Sequence, residues 1–111
     1  MPEPLGTFSG FEVESLGTLT AAGVSSAIQS GGSLLTFQVV VSNIGTNVVL
    51  RFEGSLDGSN YFNLNAAGSD FTITANGVSG YFLTAPVKYI RFRLVSLSGG
   101  TPSVACSVGA A

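Results

Sequence analysis

The sequence predicts an all-β chain, an antiparallel two-sheet β-sandwich of jelly-roll kind with about eight or nine strands. β-branched and aromatic residues recur in short alternating runs separated by Gly, Asn and Ser, and nothing longer than a turn shows helical spacing. The runs follow one another at intervals of roughly ten residues, the rhythm of a sandwich. At 111 residues the chain fits one domain, and a domain of that size buries about two thirds of its extended surface.

The opening "MPEPLGTFSG" holds two of the four prolines. Proline cannot donate to a central ladder, so residues 1–10 are expected to form an extended arm and residues 11–111 the sandwich. In "FEVESLGTL", Phe11, Val13 and Ser15 share one face and Glu12 and Glu14 the other, which predicts a half-buried strand. A weaker strand around Val24 to Gln29 closes at Gly31-Gly32. "LLTFQVVVS" sets Leu35, Phe37, Val39 and Val41 against Thr36, Gln38 and Val40, the best core strand of the first half. "NIGTN" is expected to reverse it. "VVLRFEGSL" then places Val48, Leu50, Phe52 and Leu56 on one face and Arg51, Glu53 and Asp57 on the other.

"DGSN" (57–60) reads as a turn, followed by "YFNLN" and by "DFTITA" with Phe71, Ile73 and Ala75 aligned. Asn76-Gly77 between alternating runs predicts a type I′ hairpin, with "GYFLT" as the returning strand. "VKYIRFRLVSL" turns Ile90, Phe92 and Leu94 inward and Tyr89, Arg91 and Arg93 outward. "PSVACSVGA" closes the sheet with Val104, Cys106 and Val108 on one face.

Only 9% of the residues are charged, against roughly 25% in an ordinary soluble domain. The surface must therefore be Ser, Thr, Asn, Gly and apolar atoms, covered by a partner or by sister copies, or simply left neutral. A net charge of -2 offers no basic field to a phosphate backbone, which argues against nucleic acid. No apolar run approaches the ~20 residues of a membrane span, and the first ten residues lack the basic start and apolar core of a signal peptide. One cysteine, Cys106, precludes an internal disulfide and reads as a small core residue. The absence of His removes the commonest general base and zinc ligand.

The turn at 57–60 is the first place to look for chemistry. A calcium loop needs several converging oxygens, and only Asp57 and Asn60 are present, with Asp70 remote in sequence. A sugar platform could draw on Tyr61 with Asn60, Asn63 and Asn65. Tyr61 and Phe62 are adjacent, however, so they face opposite sides of a strand and one of them is expected in the core. A hydrolase would need Glu53 or Asp57 paired with Asp70 in a deep acidic pocket. Arg51, Glu53, Arg91 and Arg93 sit on outward strand faces, where they either fix register by cross-strand pairing or contact a partner.

"FEGSLDGSNYFNL" and "APVKYIRFRLVSLSGG" together resemble small β-sandwich proteins of tailed-phage virions, with their "EGSLDG" hairpin and "KYIRFRL" strand. A weaker likeness is to discoidin-type sandwiches, which are longer and carry paired cysteines that this chain lacks. The resemblance spans roughly Leu50 to Ala111. It implies a non-enzymatic virion component without cofactor or metal, most simply a capsid decoration (cement) protein and otherwise a head-fibre base or another minor structural component, made in the host cytoplasm and bound at the capsid surface. Its expected partners are the major capsid protein or other virion subunits and its own copies, with a trimer favoured, and neither nucleic acid nor membrane. Pro2, Pro4, Leu5 and Phe8 of the arm, with Arg51, Glu53, Arg91 and Arg93, are the expected interface residues. The alternative is a carbohydrate- or cell-surface-binding module at Asn60, Tyr61 and Asn63.

Overall fold

The computed structural model describes residues 12–65 and 67–111. Its strands are β1 (Glu12–Leu19), β2 (Gly23–Val24), β3 (Ile28–Gln29), β4 (Leu34–Ser55), β5 (Phe62–Asn63), β6 (Phe71–Ile73), β7 (Gly77–Thr84) and β8 (Tyr89–Ala110). Every pairing between them is antiparallel, and the described residues contain no helix. The all-β, sandwich-like fold expected from the sequence is what forms. The arm residues Pro2, Pro4, Leu5 and Phe8, and Phe11, lie outside the described residues.

The strands are not all short. β4 and β8 each run 22 residues and pair from Leu35 opposite Ala110 to Ser55 opposite Tyr89. β1, β2 and β3 follow one another along the free side of β8, and β7, β6 and β5 along the free side of β4. The result is a ribbon about four strands wide, bent in half so that its two ends form facing layers. β7, the first half of β4, the second half of β8 and β1 make the first layer. β5 and β6, the remaining halves of β4 and β8, and β2 and β3 make the second.

The bend is visible in one contact. Phe37 and Phe52, both on β4, stack with ring centroids 4.0 Å apart, although the extended chain between them would span about 50 Å. Phe71 and Tyr81 extend the stack, 4.5 Å apart and each within 5.5 Å of Phe52. Around these rings the inward residues of both layers are buried: Leu35, Val39, Val41, Val104, Cys106 and Val108 from the first, Val48, Leu50, Ile90, Phe92 and Leu94 from the second. Each fully buried large side chain contributes about 2–3 kcal/mol relative to exposure.

Four expectations need correction. "NIGTN" bends one strand instead of reversing it. The β4–β8 register slips on either side of Ile44, Asn43 takes φ 55°, and Gly99 and Gly100 oppose it at φ 71° and 62°. A Cβ on Gly45 would collide with the Gly99 and Gly100 backbone, so the two strands can cross the corner only there without a side chain. Asn76-Gly77 makes no hairpin, because β6 and β7 both pair with β4, one on each side of the corner. The Asn76 side chain instead accepts a hydrogen bond from the Ile44 N–H, 2.9 Å away, and ties the edge to the bend. In β1, a register shift between Ser15 and Gly17 inserts Leu16 into the core and leaves Val13 exposed on the outer face. Leu56 is 68% exposed, since the chain has already left β4 for the turn.

Candidate functional site

Pairing of β4 with β8 sets Glu53 opposite Arg91 and Arg51 opposite Arg93 on the outer face of the second layer. Like charges directly opposite repel, and Glu53 lies beneath all three guanidinium groups. Arg91 Nε donates to its Oε1 at 2.8 Å, Arg93 Nε to its Oε2 at 3.0 Å, and Arg51 Nη1 lies 3.7 Å from Oε2. Arg51 also grips Asp70 with both Nε and Nη2, at 2.7 and 3.1 Å. Glu53 is only 4% exposed. That burial penalises its charge, but the hydrogen bonds and charges of Arg91 and Arg93 outweigh the penalty and hold its carboxyl below the usual glutamate range. The Arg51 hydrogen bonds likewise hold Asp70 low, and Asp70 in turn raises Arg51. The structure thus gathers Arg51, Glu53, Arg91 and Arg93 into one cross-strand cluster, with Arg51 and Arg93 still about a third exposed at its rim.

The 57–60 turn is organised by its own side chains. Asp57 Oδ1 accepts from the N–H groups of Ser59 and Asn60, each at 2.8 Å, and from Ser55 Oγ at 2.9 Å. Its Oδ2 accepts from Asn60 Nδ2 at 2.8 Å. These donors, the backbone N–H groups of Asn60 and Ser59 foremost, push the Asp57 carboxyl well below the usual range. Ser55, fully buried, accepts from the Asp57 and Gly58 N–H groups. Asp57 is therefore the hub of an Asx-type turn with its oxygens already taken, and Glu53, Asp57 and Asp70 each have structural partners instead of forming a paired-acid pocket.

Neither Tyr61 nor Phe62 enters the core, contrary to expectation. The Arg91 guanidinium lies 3.7 Å from the Tyr61 ring centroid, so one face of that ring is covered by a cation–π contact. Phe62 is half exposed beside Leu56, Leu64, Pro86 and Val87, around an open apolar hollow of about 350 Å³. The chain has only two strand residues here, too few for alternation to force either ring inward. Asn63 reaches Asp70 at 3.5 Å and accepts from the Asn65 N–H at 2.8 Å.

The surface that sequence reading missed is the outer face of the first layer. Val13 of β1, Leu34 and Val40 of β4 and Val78 and Phe82 of β7 all lie exposed there, among Thr36, Gln38, Ala105 and Ser107. Among the described residues, no charged residue takes part in that face. The signal was present in the outward parity of Val40 and in Phe82 lying between the inward Tyr81 and Leu83. Cys106 is on the inner side of the same layer, where burial pushes its thiol up to about 12 and leaves it unreactive.

No family model matches the chain, and no curated protein matches it in sequence. Among solved structures it is similar to the SPBc2 prophage-derived protein YomS, with a TM-score of 0.60 at 13% identity over 97% of this chain and 100% of that one. Lesser similarity extends to Bacillus endospore appendages that form disulfide-linked pili (TM-score 0.49, 7% identity, 96% of both chains). An oxalate oxidase structure follows at TM-score 0.35 and 12% identity, over 98% of this chain and 54% of that one. What the chain shares with the prophage-derived protein, end to end, is its fold.

Proposed function

We propose that the chain is a non-enzymatic structural protein of a phage virion, a capsid decoration (cement) subunit that acts as a homo-oligomer. One observation carries this reading: among the described residues the outer face of the first layer spans four strands without a charge and holds Val13, Leu34, Val40, Val78 and Phe82 open to solvent. Apolar area of that extent marks an interaction surface, and covering it gains about 25 cal/mol for each Å² removed from water. The fold held in common with a prophage-derived protein supports the virion setting. The resemblance of the 52–64 and 85–100 segments to tailed-phage sandwiches points the same way.

Decoration asks for no bond-making chemistry. A subunit that binds across the seams of a shell, and not to its dissociated subunits, stabilises the shell by mass action. The major capsid protein is the proposed partner, with the 1–10 arm clasping a neighbouring subunit and the exposed flanks of Arg51 and Arg93 forming rim contacts. A carbohydrate platform at Asn60, Tyr61 and Asn63 has less to stand on. Asn60 is already bonded to Asp57, Asn63 to the chain beside it, and Arg91 covers one face of Tyr61.

Co-sedimentation with shells assembled without the protein tests the proposal. Saturable binding and a higher shell disruption temperature are expected, with occupancy reduced when residues 1–10 are deleted. Shells that stay bare at about 10 µM protein, well within the range of specific interfaces, would overturn it.

A further inference from the structure

The outer face of the first layer has relief as well as neutrality. Register aligns Val13, Gly109, Thr36 and Phe82 in one row across β1, β8, β4 and β7. Along that row the surface drops over a glycine, passes a threonine and rises to a phenylalanine that is 80% exposed. The hollow among Val13, Thr36, Gln38, Ser107 and Gly109 holds about 250 Å³, whereas a cavity of about 150 Å³ already accepts benzene. Phe82 and Gly109 lie two strands apart with Thr36 midway.

We infer that this face is a two-fold interface with a second copy of the chain, in which Phe82 of each copy sits in the Gly109 hollow of the other. A two-fold axis running along β4 over Thr36 produces that match in both directions at once. The same axis sets Val78 over Ala105, so that on both flanks of β4 a large side chain faces a small one, while Gly80 lies over Ser107 and Val40 over Val40. It also brings the two Gln38 amides together, able to bond each other. Three overlapping strands about 4.8 Å apart and eight residues long give a footprint near 400 Å² per copy. With side-chain relief, roughly 1,000 Å² of accessible surface disappears in total, the threshold for a specific interface. A charged partner finds nothing on this face to answer it, while a second copy presents the same uncharged surface with complementary relief.

The inference rests on the homo-oligomer of the proposed function and makes its elementary unit a dimer rather than a trimer. Sedimentation equilibrium of the full chain at about 50 µM, inside the micromolar range open to interfaces of modest size, is expected to give the dimer mass. Phe82→Lys, at a position outside the core, should raise the dissociation constant on the order of 100-fold, as for an aromatic anchor seated in a pocket of the partner. Leu56→Ser, at the opposite apolar end, should leave it unchanged. A mixture of Gly80→Cys and Ser107→Cys chains should give mixed dimers with a short bismaleimide, a readout independent of any loss of stability; buried Cys106 does not compete. A wild-type monomer at these concentrations, a dimer indifferent to Phe82→Lys, or the absence of mixed cross-links overturns the inference. A dimer that leaves shells bare keeps the inference and sinks the virion reading; a monomer that decorates shells does the reverse.

Discussion

Replacing Glu53 by Gln removes one negative charge from beneath three guanidinium groups while keeping the side-chain volume. One of Arg91 and Arg93, now at 2.8 and 3.0 Å from the two carboxylate oxygens, keeps the amide oxygen as acceptor while the other meets the amide NH2, itself a donor, and Arg51 faces Arg93 across the ladder with only Asp70 to offset it. Breaking a buried ion pair by removing one partner costs about 3–5 kcal/mol. Here the arginines are 20–36% exposed, and water screens part of the loss, so about 2.5 kcal/mol is expected. Unfolding entropy near 2.1 cal/mol/K per residue gives about 0.23 kcal/mol/K for the chain, so the midpoint should fall by about 10 °C. Urea unfolding at pH 7 should show an earlier midpoint with an unchanged slope. Because the folded carboxyl lies below its ordinary 4.5, its contribution is present above that value and is lost as pH falls through the lowered one. The gap between wild type and variant should therefore be flat from pH 5 to 8 and narrow below about pH 4.5. A loss under about 0.5 kcal/mol, the size of an exposed surface pair, would refute the description of Glu53 as the anion that makes this charge cluster tolerable.

Two further outcomes follow from the corner and from the buried thiol. Gly45→Ala drives a methyl group into the backbone of Gly99 and Gly100, which cannot rotate away; a loss of about 2–3 kcal/mol or failure to fold is expected in chemical denaturation, and near-neutrality would contradict the close crossing. Cys106 should resist a thiol-specific disulfide reagent at pH 8 in the native protein and react at once in denaturant, because burial holds its proton up to about 12.

Alternation alone identified the inward sets Leu35 to Val41, Val48 to Phe52, Ile90 to Leu94 and Val104 to Val108, all of them buried. It could not tell a strand that bends from one that ends. Asn and Gly at 43–47 and 76–77 serve both purposes; only pairing with β8 shows that β4 runs on through the first, and only pairing with β4 shows that β6 and β7 follow one another along it instead of folding back on each other. The charge cluster was half legible: outward parity grouped Arg51 with Glu53 and Arg91 with Arg93, but the burial of Glu53 depends on the register that stacks one pair on the other. Leu56, Tyr61 and Phe62 were misplaced because parity has no authority beyond the end of a ladder. Phe82 was passed over because its neighbours Tyr81 and Leu83 account for the apolar character of the segment.

The bent ribbon also orders events in time. β8 is synthesised after every strand it pairs with, yet it occupies the middle of both layers, and among the described strands β1, β2 and β3 pair with it alone. Glu12 must wait for Ala110, and Leu35 for the same residue. While the chain emerges, β4 can collect only β5, β6 and β7, so one long edge stays open until residues 89–110 arrive. Such distant pairings put folding in the millisecond-to-second range of non-local β-proteins. During that interval the nascent chain is a sheet with a vacant seam, open to insertion by the wrong strand.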